Sequence, residues 1–269
     1  MQVARLFDIA YRSAPVKRWL WRYWYEFLAS WFRDRRWTFM NYGYRPPLAT
    51  APLALAPEDE PDRSCIQLYH LVASAVDLNA REVLEVGSGR GGGAAFVARR
   101  LRPRRMVGVD ISPRTVALCR AWHAVPGLSF EVGNAEQLGL ADASFDAVLN
   151  VESSHCYGDL GAFVREVRRV LRPGGHFLYA DFRSRDELAA WRAGLLAAGL
   201  RLLVERDITP GVVAALEADD ERKRRQIDAQ VVRPLRRAVG RFAGLRGTAL
   251  YDEFRNGAVV YRAFVLQNG

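Results

Sequence analysis

The chain has 269 residues and half of them are apolar, enough to bury the core of one enlarged α/β domain or of a domain with a cap. No apolar run reaches the roughly 20 residues of a membrane span, and no signal peptide is recognisable. We therefore expect a cytoplasmic protein without integral membrane association. Three cysteines at unrelated spacings predict reduced thiols and no metal site.

The formal net charge of +9 raises nucleic acid as a partner. However, the basic side chains are almost all arginines, since Lys17 and Lys223 are the only lysines. The arginine clusters are dispersed, and no aromatic residues alternate with them across a predicted sheet face. We interpret the charge as a solvated surface and expect no nucleic acid partner, with RNA methylation as the weaker alternative.

The first 45 residues are rich in aromatic and basic side chains and contain five of the seven tryptophans. Such a helical face could dock on the main domain, form a homo-oligomer, line an apolar substrate entrance or touch a membrane surface. The residues that recur at the spacing of one amphipathic helix face are Trp24, Phe27, Leu28 and Trp31.

The chain is expected to divide near residue 63. Residues 1–63 are predicted to form an N-terminal aromatic helical segment and a linker. The linker, residues 46–63, contains five prolines, which do not sustain a regular element. Residues 64–269 are predicted to form the main domain, which begins with a helix over residues 64–76.

A glycine-rich stretch, VLEVGSGRGG at residues 83–92, is the most informative motif. An apolar run that ends in Gly-x-Gly-x-Gly predicts a buried parallel strand that turns sharply into a helix, because glycine permits backbone angles that a Cβ forbids. A second predicted strand ends at Asp110, 23 residues after Gly87. The two strand ends predict a nucleoside-binding crevice in which Asp110 accepts two ribose hydroxyls.

Two cofactors compete for this crevice, because the glycine pattern also matches a dinucleotide fingerprint. Glu85 lies two residues before the first glycine. A carboxylate there would repel a pyrophosphate, whereas it can accept a hydrogen bond from an ammonium group. The pattern therefore favours S-adenosylmethionine, which carries an α-amino group and no phosphate, over NAD.

The remaining elements alternate between strands and helices. A helix over residues 185–198 precedes the sixth strand, and the strongly helical residues 210–243 predict a lid over the substrate at about 209–250. A Pro-Gly-Gly turn at residues 173–175 is expected to end the helix before the fifth strand. Strands three to seven are predicted over residues 128–136, 144–150, 176–181, 201–208 and 258–266.

At this point the sequence resembles the class I S-adenosylmethionine-dependent methyltransferases. The resemblance implies an α/β, Rossmann-like, doubly wound sheet of seven strands with the last strand antiparallel, joined to an N-terminal helical segment and a helical lid. The segments WRYWYEF, EVGSGRGGGA, NVESSHCY and VLRPGGHFLYAD are similar to the mycobacterial phthiotriol and phenolphthiotriol dimycocerosate methyltransferases and related natural-product O-methyltransferases. Those enzymes O-methylate a secondary hydroxyl of a long polyketide-derived lipid.

The resemblance implies the residues that bind the cofactor. Asn134 stands where the family more often has Asp, and its side-chain oxygen can still accept from the adenine amine. Ala135 is expected to present its N–H to the adenine, and Asn150 to lie near the methionine end. The complete expected set is Glu85, Gly87, Ser88, Gly89, Asp110, Ile111, Asn134, Ala135, Glu136 and Asn150.

His155 is the predicted general base, since it matches the histidine of this motif in similar O-methyltransferases. A hydroxyl is a poor neutral nucleophile, and a histidine with an ordinary pKa would produce a rate that rises between about pH 6 and about pH 7.5. Glu152 is the second predicted catalytic residue. Glu152 and Asp181 are expected to orient His155 or to bind the substrate.

Tyr42 and Tyr44 resemble an N-terminal segment that closes over the cofactor in relatives, and with Asp181 they form the predicted substrate set. The predicted function is O-methylation of a hydroxyl on an apolar, polyketide-like or lipid-like secondary metabolite. Two alternatives stay open: C-methylation of an indole or an enolisable carbon, and a non-catalytic binding protein with a methyltransferase-like domain.

Overall fold

A seven-stranded mixed sheet forms the centre of the fold in a computed structural model that describes residues 37–47 and 49–269. The strand order is β3-β2-β1-β4-β5-β7-β6. The first five strands run parallel, whereas β7 is antiparallel to both of its neighbours. The strands are β1 (Glu82–Val86), β2 (Arg105–Asp110), β3 (Leu128–Val132), β4 (Phe145–Val151), β5 (Leu171–Ser184), β6 (Leu200–Asp207) and β7 (Val259–Asn268).

Helices cover both faces of this sheet, which confirms the predicted Rossmann-like fold with an antiparallel last strand. All five residues of β1 are buried, as expected of a parallel strand packed on two faces. The predicted amphipathic helix at residues 24–31 lies outside the described residues. The helices are α1 (Arg63–Ala73), α2 (Gly92–Leu101), α3 (Pro113–Trp122), α4 (Leu160–Val170), α5 (Leu188–Leu196), α6 (Thr209–Gln230), α7 (Arg233–Phe242) and α8 (Ala249–Asn256).

Two element boundaries near the start of the domain differ from prediction. Helix α1 ends at Ala73 rather than at residue 76, and at this end the Ser74 hydroxyl donates to the carbonyl of His70. The segment at 46–63 was expected to lack regular structure, yet it contains a 3-10 turn over Glu60–Asp62. A proline at the start of that turn is compatible with it, because the first turn needs no N–H donor there.

The predicted Pro-Gly-Gly turn lies within β5 instead of before it. Leu171 pairs with Phe145 directly after α4, and the ladder resumes where His176 pairs with Ala147. The intervening residues bulge out of the ladder, and Gly174 takes a left-handed conformation with φ of +76°. A bulge lets the strand absorb extra residues without losing its register farther along.

Three helices, α6 to α8, lie between β6 and β7. The last of them ends at Asn256, beyond the predicted limit near residue 250, because Gly257 supplies the left-handed cap that stops it. Tyr251 and Phe254 are buried and attach α8 to the core. Among residues 37–47 and 49–269, no helix combines the length and apolarity needed to cross a membrane.

Candidate active site

The glycine-rich loop between β1 and α2 is held tightly against its neighbours. Gly87, Gly89 and Gly91 all have positive φ angles, which glycine adopts without steric cost. The N–H groups of Gly87 and Ser88 donate to the carbonyl of Val109 at 2.8 and 3.0 Å. The loop therefore takes its shape from both its own glycines and the neighbouring strand β2.

Gly87 is the loop position at which an added side chain would clash most closely with its neighbours. A Cβ there would lie 2.1 Å from Ser153 Oγ and 2.7 Å from the Tyr157 hydroxyl. We expect Gly87→Ala to lower the free energy of unfolding by about 2–4 kcal/mol, combining left-handed strain with overpacking. The matched control is Gly174→Ala, which has φ of +76° and no atom within 4 Å of the added Cβ. Equal losses in urea titrations of the two variants would contradict the close fit at Gly87.

Asp110 ends β2 beside this loop. Its Oδ2 accepts from the N–H of Gly89 at 3.0 Å and its Oδ1 accepts from the N–H of Ser112 at 2.9 Å. A carboxylate has about four acceptor positions, so these bonds orient it and leave capacity for ligand hydroxyls. The geometry suits the predicted ribose contact.

A cavity with an empty volume of about 1070 Å³ opens above the loop, and we call it the cofactor cavity. Its walls come from the carboxyl ends of the parallel strands and from residues 38–42, which we call the 38–42 segment. Ligands bind at this edge in open α/β sheets. The predicted site residues that line the cavity are Tyr42, Gly87, Ser88, Gly89, Asp110, Ile111, Asn134, Ala135, Glu136, Glu152 and His155.

Glu85 lies beneath the loop rather than in the cavity wall. Its Oε1 accepts from the Tyr69 hydroxyl at 2.6 Å, and its buried Oε2 has no hydrogen-bond partner among residues 37–47 and 49–269. Burial raises the pKa of Glu85 to about 8, although the Tyr69 hydrogen bond opposes the rise. Because Glu85 does not line the cavity, its predicted contact with the ammonium group of the cofactor does not fit this placement and stays a prediction.

Asn150 is fully buried and does not line the cofactor cavity, so the predicted direct cofactor contact does not fit its placement. Its Nδ2 donates to the carbonyl of Val86 and to the hydroxyls of Ser153 and Tyr157, at 2.8 to 2.9 Å. Ser153 and Tyr157 do line the cavity. Asn150 therefore positions these two hydroxyls. Neither Ser153 nor Tyr157 was among the predicted site residues, although both lie in the segment NVESSHCY.

The turn after β3 forms the far end of the cavity. Asn134 Oδ1 accepts from the N–H of Glu136 at 3.1 Å, and Glu136 Oε1 accepts from the N–H of Gly158 at 2.8 Å. An Asn can make this turn because its side-chain carbonyl imitates a backbone acceptor. Asn134 and Glu136 therefore already stabilise the loops that carry them.

His155 and Asp181 form a buried pair at the other end. The His155 Nδ1 and Asp181 Oδ1 atoms are 2.9 Å apart, and the Asp181 side chain is completely buried. Asp181 Oδ2 also accepts from the backbone N–H of His155 at 2.9 Å. The imidazole packs against Phe182, with ring centroids 4.5 Å apart. Asp181 and Phe182 therefore fix the orientation of the His155 ring from two sides.

The Asp181 carboxylate lies under His155 and not in a cavity wall, so of the two roles expected for it the contacts match orientation of His155 rather than substrate binding. Its oxygens accept from Ser154 Oγ at 2.6 Å and from the N–H of Phe182 at 2.9 Å, and Arg183 Nη1 lies 3.3 Å away. Burial alone would raise the pKa of Asp181, but Arg183 and His155 hold it well below its usual range. Asp181 is a positioning residue.

The electrostatic surroundings of His155 favour its protonated form. Burial lowers its pKa, but the effects of Cys156 and of the Asp181 carboxylate are opposite and together raise the pKa to about 10. A neighbouring carboxylate stabilises an imidazolium and so keeps the proton on the ring to higher pH. If His155 is the base, the rate should therefore rise at a higher pH than the range between about pH 6 and about pH 7.5 that is expected for an ordinary histidine.

Glu152 does not orient His155 but anchors the 38–42 segment. Its Oε2 accepts from the N–H of Tyr42 at 2.9 Å and from the hydroxyl of Tyr261 at 3.0 Å. Glu152 has a φ of +53°, an unusual conformation that is often found at functional sites. Burial raises its pKa to about 8.

Tyr44 lies outside the cavities, so its predicted substrate role does not fit the structure. The Tyr44 ring packs against Gly211 at the start of α6 and fills the space that a side chain on that residue would need. Its N–H donates to the carbonyl of Ser64 at 2.8 Å. Tyr42, by contrast, lines the cofactor cavity, and its hydroxyl donates to the carbonyl of Phe242 at 3.1 Å.

A wide cleft leads from His155 towards α7 and α8, and we call it the lid cleft. Tyr42, His155 and Phe242 line both this cleft and the cofactor cavity. Its walls combine apolar rings with charges at the rim, including Phe182, Trp191, Leu250, Arg241 and Glu253. His155 therefore stands where the two spaces meet.

Comparison with known proteins agrees with this arrangement. Residues 84–179 match the model of a methyltransferase domain. The chain is 42% identical over 254 residues, covering 94% of this chain and 93% of the relative, to the phthiotriol/phenolphthiotriol dimycocerosates methyltransferase of Mycobacterium tuberculosis. It is 38% identical to the fatty-acid O-methyltransferase of Mycolicibacterium smegmatis, covering 89% of this chain and 86% of that protein.

A solved structure supports the fold at lower sequence identity. The geranyl diphosphate C-methyltransferase of Streptomyces coelicolor superposes with a TM-score of 0.64 at 16% identity, covering 91% of this chain and 98% of that one. The glycine loop, the acid at the end of β2 and the long similarity to known methyltransferases lead to one conclusion. The chain belongs to the class I S-adenosylmethionine-dependent methyltransferases, and its cofactor is S-adenosylmethionine.

Proposed function

We propose that the protein transfers the methyl group to a hydroxyl of a polyketide-like or lipid-like molecule, with His155 as the general base. The observation that carries this proposal is the position of His155 at the junction of the cofactor cavity and the lid cleft, bound to the buried Asp181. The cofactor, when bound, supplies an activated methyl group on a sulfonium centre.

The role of each side chain follows from its contacts. Asp181 binds Nδ1 of His155, so the other ring nitrogen, Nε2, is the atom that takes the hydroxyl proton. Phe182 holds the plane of the ring. Glu152 and Tyr42 keep the 38–42 segment over the cofactor cavity, which excludes water from the reacting atoms.

An apolar acceptor is supported by the lid cleft and by the lipid substrates that the names of the relatives give. The cleft passes between α5, α7 and α8 and is lined by large apolar side chains near His155. Helices α6 to α8 act as the lid in this proposal, and residues 64–269 form the catalytic domain. Two expectations stay predictions: a cytoplasmic location, and a homo-oligomer formed through the N-terminal helix.

A carboxyl group is the second candidate acceptor. The raised pKa of His155 favours an imidazolium, which can hold an oxyanion, and one relative is named a fatty-acid O-methyltransferase. A carboxylate needs no base before methyl transfer. In this case His155 would bind the acceptor instead of deprotonating it.

A labelling experiment identifies the atom that accepts the methyl group. The enzyme is given a cofactor with an isotopically labelled methyl group and either a long-chain secondary alcohol or the fatty acid of the same length. We expect a methyl ether that survives mild alkali. An alkali-labile methyl ester would establish the carboxyl alternative, and a methyl carbon bonded to carbon in the NMR spectrum would establish C-methylation. If neither compound is methylated while S-adenosylhomocysteine still binds, the proposed acceptor class is wrong.

A further inference from the structure

A second cavity lies behind the 38–42 segment, on the side away from the cofactor. We call it the Lys223 cavity. Its empty volume is about 620 Å³, and it is bounded by the start of α1, by α6 and by the end of α7. Asn41, Tyr42 and Phe242 line both this cavity and the cofactor cavity. The 38–42 segment therefore separates two adjoining spaces, and the reaction proposed above uses only one of them.

The Lys223 ammonium group is poorly satisfied in this cavity. Its closest hydrogen-bond acceptor is the carbonyl of Ala243 at 3.4 Å, and it lies 5.9 Å from the centroid of the Tyr42 ring. In the part of the chain that the structure describes, no carboxylate lies within ion-pairing distance of it. Burial lowers the pKa of Lys223. A desolvated cation without a counterion is costly, which favours a ligand that brings one.

The other polar groups of the cavity do not supply that counterion. The Asp62 carboxylate lies 3.6 Å from the Arg222 guanidinium, which also lies 3.3 Å from Asp219. The Cys65 thiol donates to the carbonyl of Asn41, and burial raises its pKa to about 12, so it stays uncharged. Among residues 37–47 and 49–269, Arg222 is therefore paired with Asp62 and Asp219, whereas Lys223 has no carboxylate within ion-pairing distance.

A buried amide adds to the excess of donors. Asn41 Oδ1 accepts from the N–H of Gly43 at 2.9 Å, which fixes the orientation of the amide. Among the described residues neither Asn41 Nδ2 nor Arg222 Nε has a hydrogen-bond partner. Three nitrogen donors around one cavity thus lack a good acceptor, and buried donors are normally satisfied.

Apart from Gln226, the rest of the cavity wall is mainly apolar. Trp37, Met40, Ile227 and Phe242 face it, and all four belong to one small hydrophobic cluster. A ligand that combines an oxyanion with a hydrocarbon chain satisfies both parts of this wall, since charge-assisted hydrogen bonds to a carboxylate are the strong ones and the chain is removed from water.

We propose that the Lys223 cavity binds the carboxylate of a fatty-acid-like molecule, with Lys223 as its counterion. The carboxylate has two sources: a remote end of the methyl acceptor, or a separate fatty acid. The site is independent of which atom accepts the methyl group, because it lies on the opposite side of the 38–42 segment from the cofactor cavity.

The two lysines of the chain allow a direct test. The protein is labelled with ¹⁵N-lysine, saturated with S-adenosylhomocysteine and titrated with octanoate, while NMR follows the Nζ signals of Lys17 and Lys223. We expect the Lys223 signal to shift and to titrate at higher pH, because a bound anion stabilises the ammonium form. The Lys17 signal is the internal reference, and K17R assigns the two signals.

Variants test whether the charge of Lys223 is responsible. Lys223→Gln should weaken octanoate binding by ~10-fold or more, as expected for loss of one charge-assisted contact. Lys223→Arg should keep most of the affinity. The matched control is Arg225→Gln, two residues along the same helix, whose side chain is 76% exposed and which should change nothing. Binding of S-adenosylhomocysteine to each variant checks the cofactor cavity separately.

The proposal is overturned if octanoate leaves the Lys223 signal unmoved, or if Lys223→Gln binds octanoate as tightly as the wild type does. Kinetics then identify the source of the carboxylate. If added octanoate raises the KM for the methyl acceptor, the site holds one end of the acceptor. If octanoate leaves that KM unchanged, the site binds a separate fatty acid. Both results support a carboxylate at Lys223.

Discussion

Replacement of His155 by alanine should lower kcat by ~10²-fold or more, within the range that general base catalysis supplies. Cofactor affinity should change little, because Asp110 and the glycine loop lie at other strand ends. Steady-state kinetics with the alcohol acceptor and calorimetry with S-adenosylhomocysteine measure the two quantities. His176→Ala is the control, since His176 lies at the start of the regular β4–β5 ladder and lines none of the cavities described above.

The pH dependence of the rate also tests whether His155 is the base. A base acts only when unprotonated, so the wild-type rate should rise with pH, and the midpoint should lie above the ordinary histidine range because Asp181 and Cys156 raise the pKa of His155. Asp181→Asn removes the carboxylate that stabilises the imidazolium, so the midpoint should move to lower pH. His155→Ala should abolish this pH dependence.

Two outcomes would contradict the base assignment. One is a His155→Ala enzyme that keeps the wild-type kcat and pH profile, which would mean that proximity alone drives transfer. The other is a wild-type rate that is flat with pH for the alcohol acceptor, which would mean that no group on the protein takes the proton within the range tested. An effect of Asp181→Asn on stability alone would leave the midpoint where it is.

Replacement of Asp110 by alanine should weaken cofactor binding by about 2–3 kcal/mol, or roughly 30- to 150-fold in Kd, because it removes charge-assisted bonds to the ribose hydroxyls. The side chain also holds the N–H groups of Gly89 and Ser112. Asp110→Asn is therefore the companion variant, since it keeps the shape and one acceptor oxygen and removes the charge.

Calorimetric titration with S-adenosylhomocysteine measures both variants. Glu221→Ala is the control, because its side chain is 87% exposed on α6, far along the chain from the loop. Unchanged affinity in Asp110→Ala would mean that the ribose lies elsewhere. A loss in Asp110→Ala with full affinity in Asp110→Asn would assign the effect to loop geometry and not to charge.

If the aromatic helical face predicted near the N-terminus lines an apolar substrate entrance, a deletion of residues 1–40 is expected to impair turnover more than cofactor binding. Thr38, Phe39 and Met40 line the cofactor cavity, so this deletion would also remove part of the cofactor site. A deletion that stops at residue 36 separates the two effects, because it keeps the 38–42 segment and the bond from Tyr42 to Glu152.

The fold and the cofactor could be predicted from sequence because their signals are local. The apolar run of β1, the glycines after it and Asp110 at the next strand end follow one another along the chain, and parallel strands bring successive carboxyl ends to one edge. His155 follows β4 at the same edge, and it was predicted because it matches the histidine of this motif in similar O-methyltransferases.

The partners of these residues were decided by tertiary structure. Asp181 reaches His155 from 26 residues away, and Tyr42 reaches Glu152 from 110 residues away. Whether an acid at a strand end faces a cavity or lies beneath a neighbour depends on packing between elements, which no local pattern encodes. Asp181 therefore orients His155, which was one of its expected roles, whereas Glu152 anchors the 38–42 segment and Asn150 supports Ser153 and Tyr157.

The sequence by itself determined the sheet, the crevice at its edge and the cofactor, because each depends on residue types that only one backbone geometry accommodates. The tertiary structure alone decided which carboxylate aligns His155, and it alone revealed the Lys223 cavity, since a cation becomes unpaired only when burial removes water and places its neighbours elsewhere.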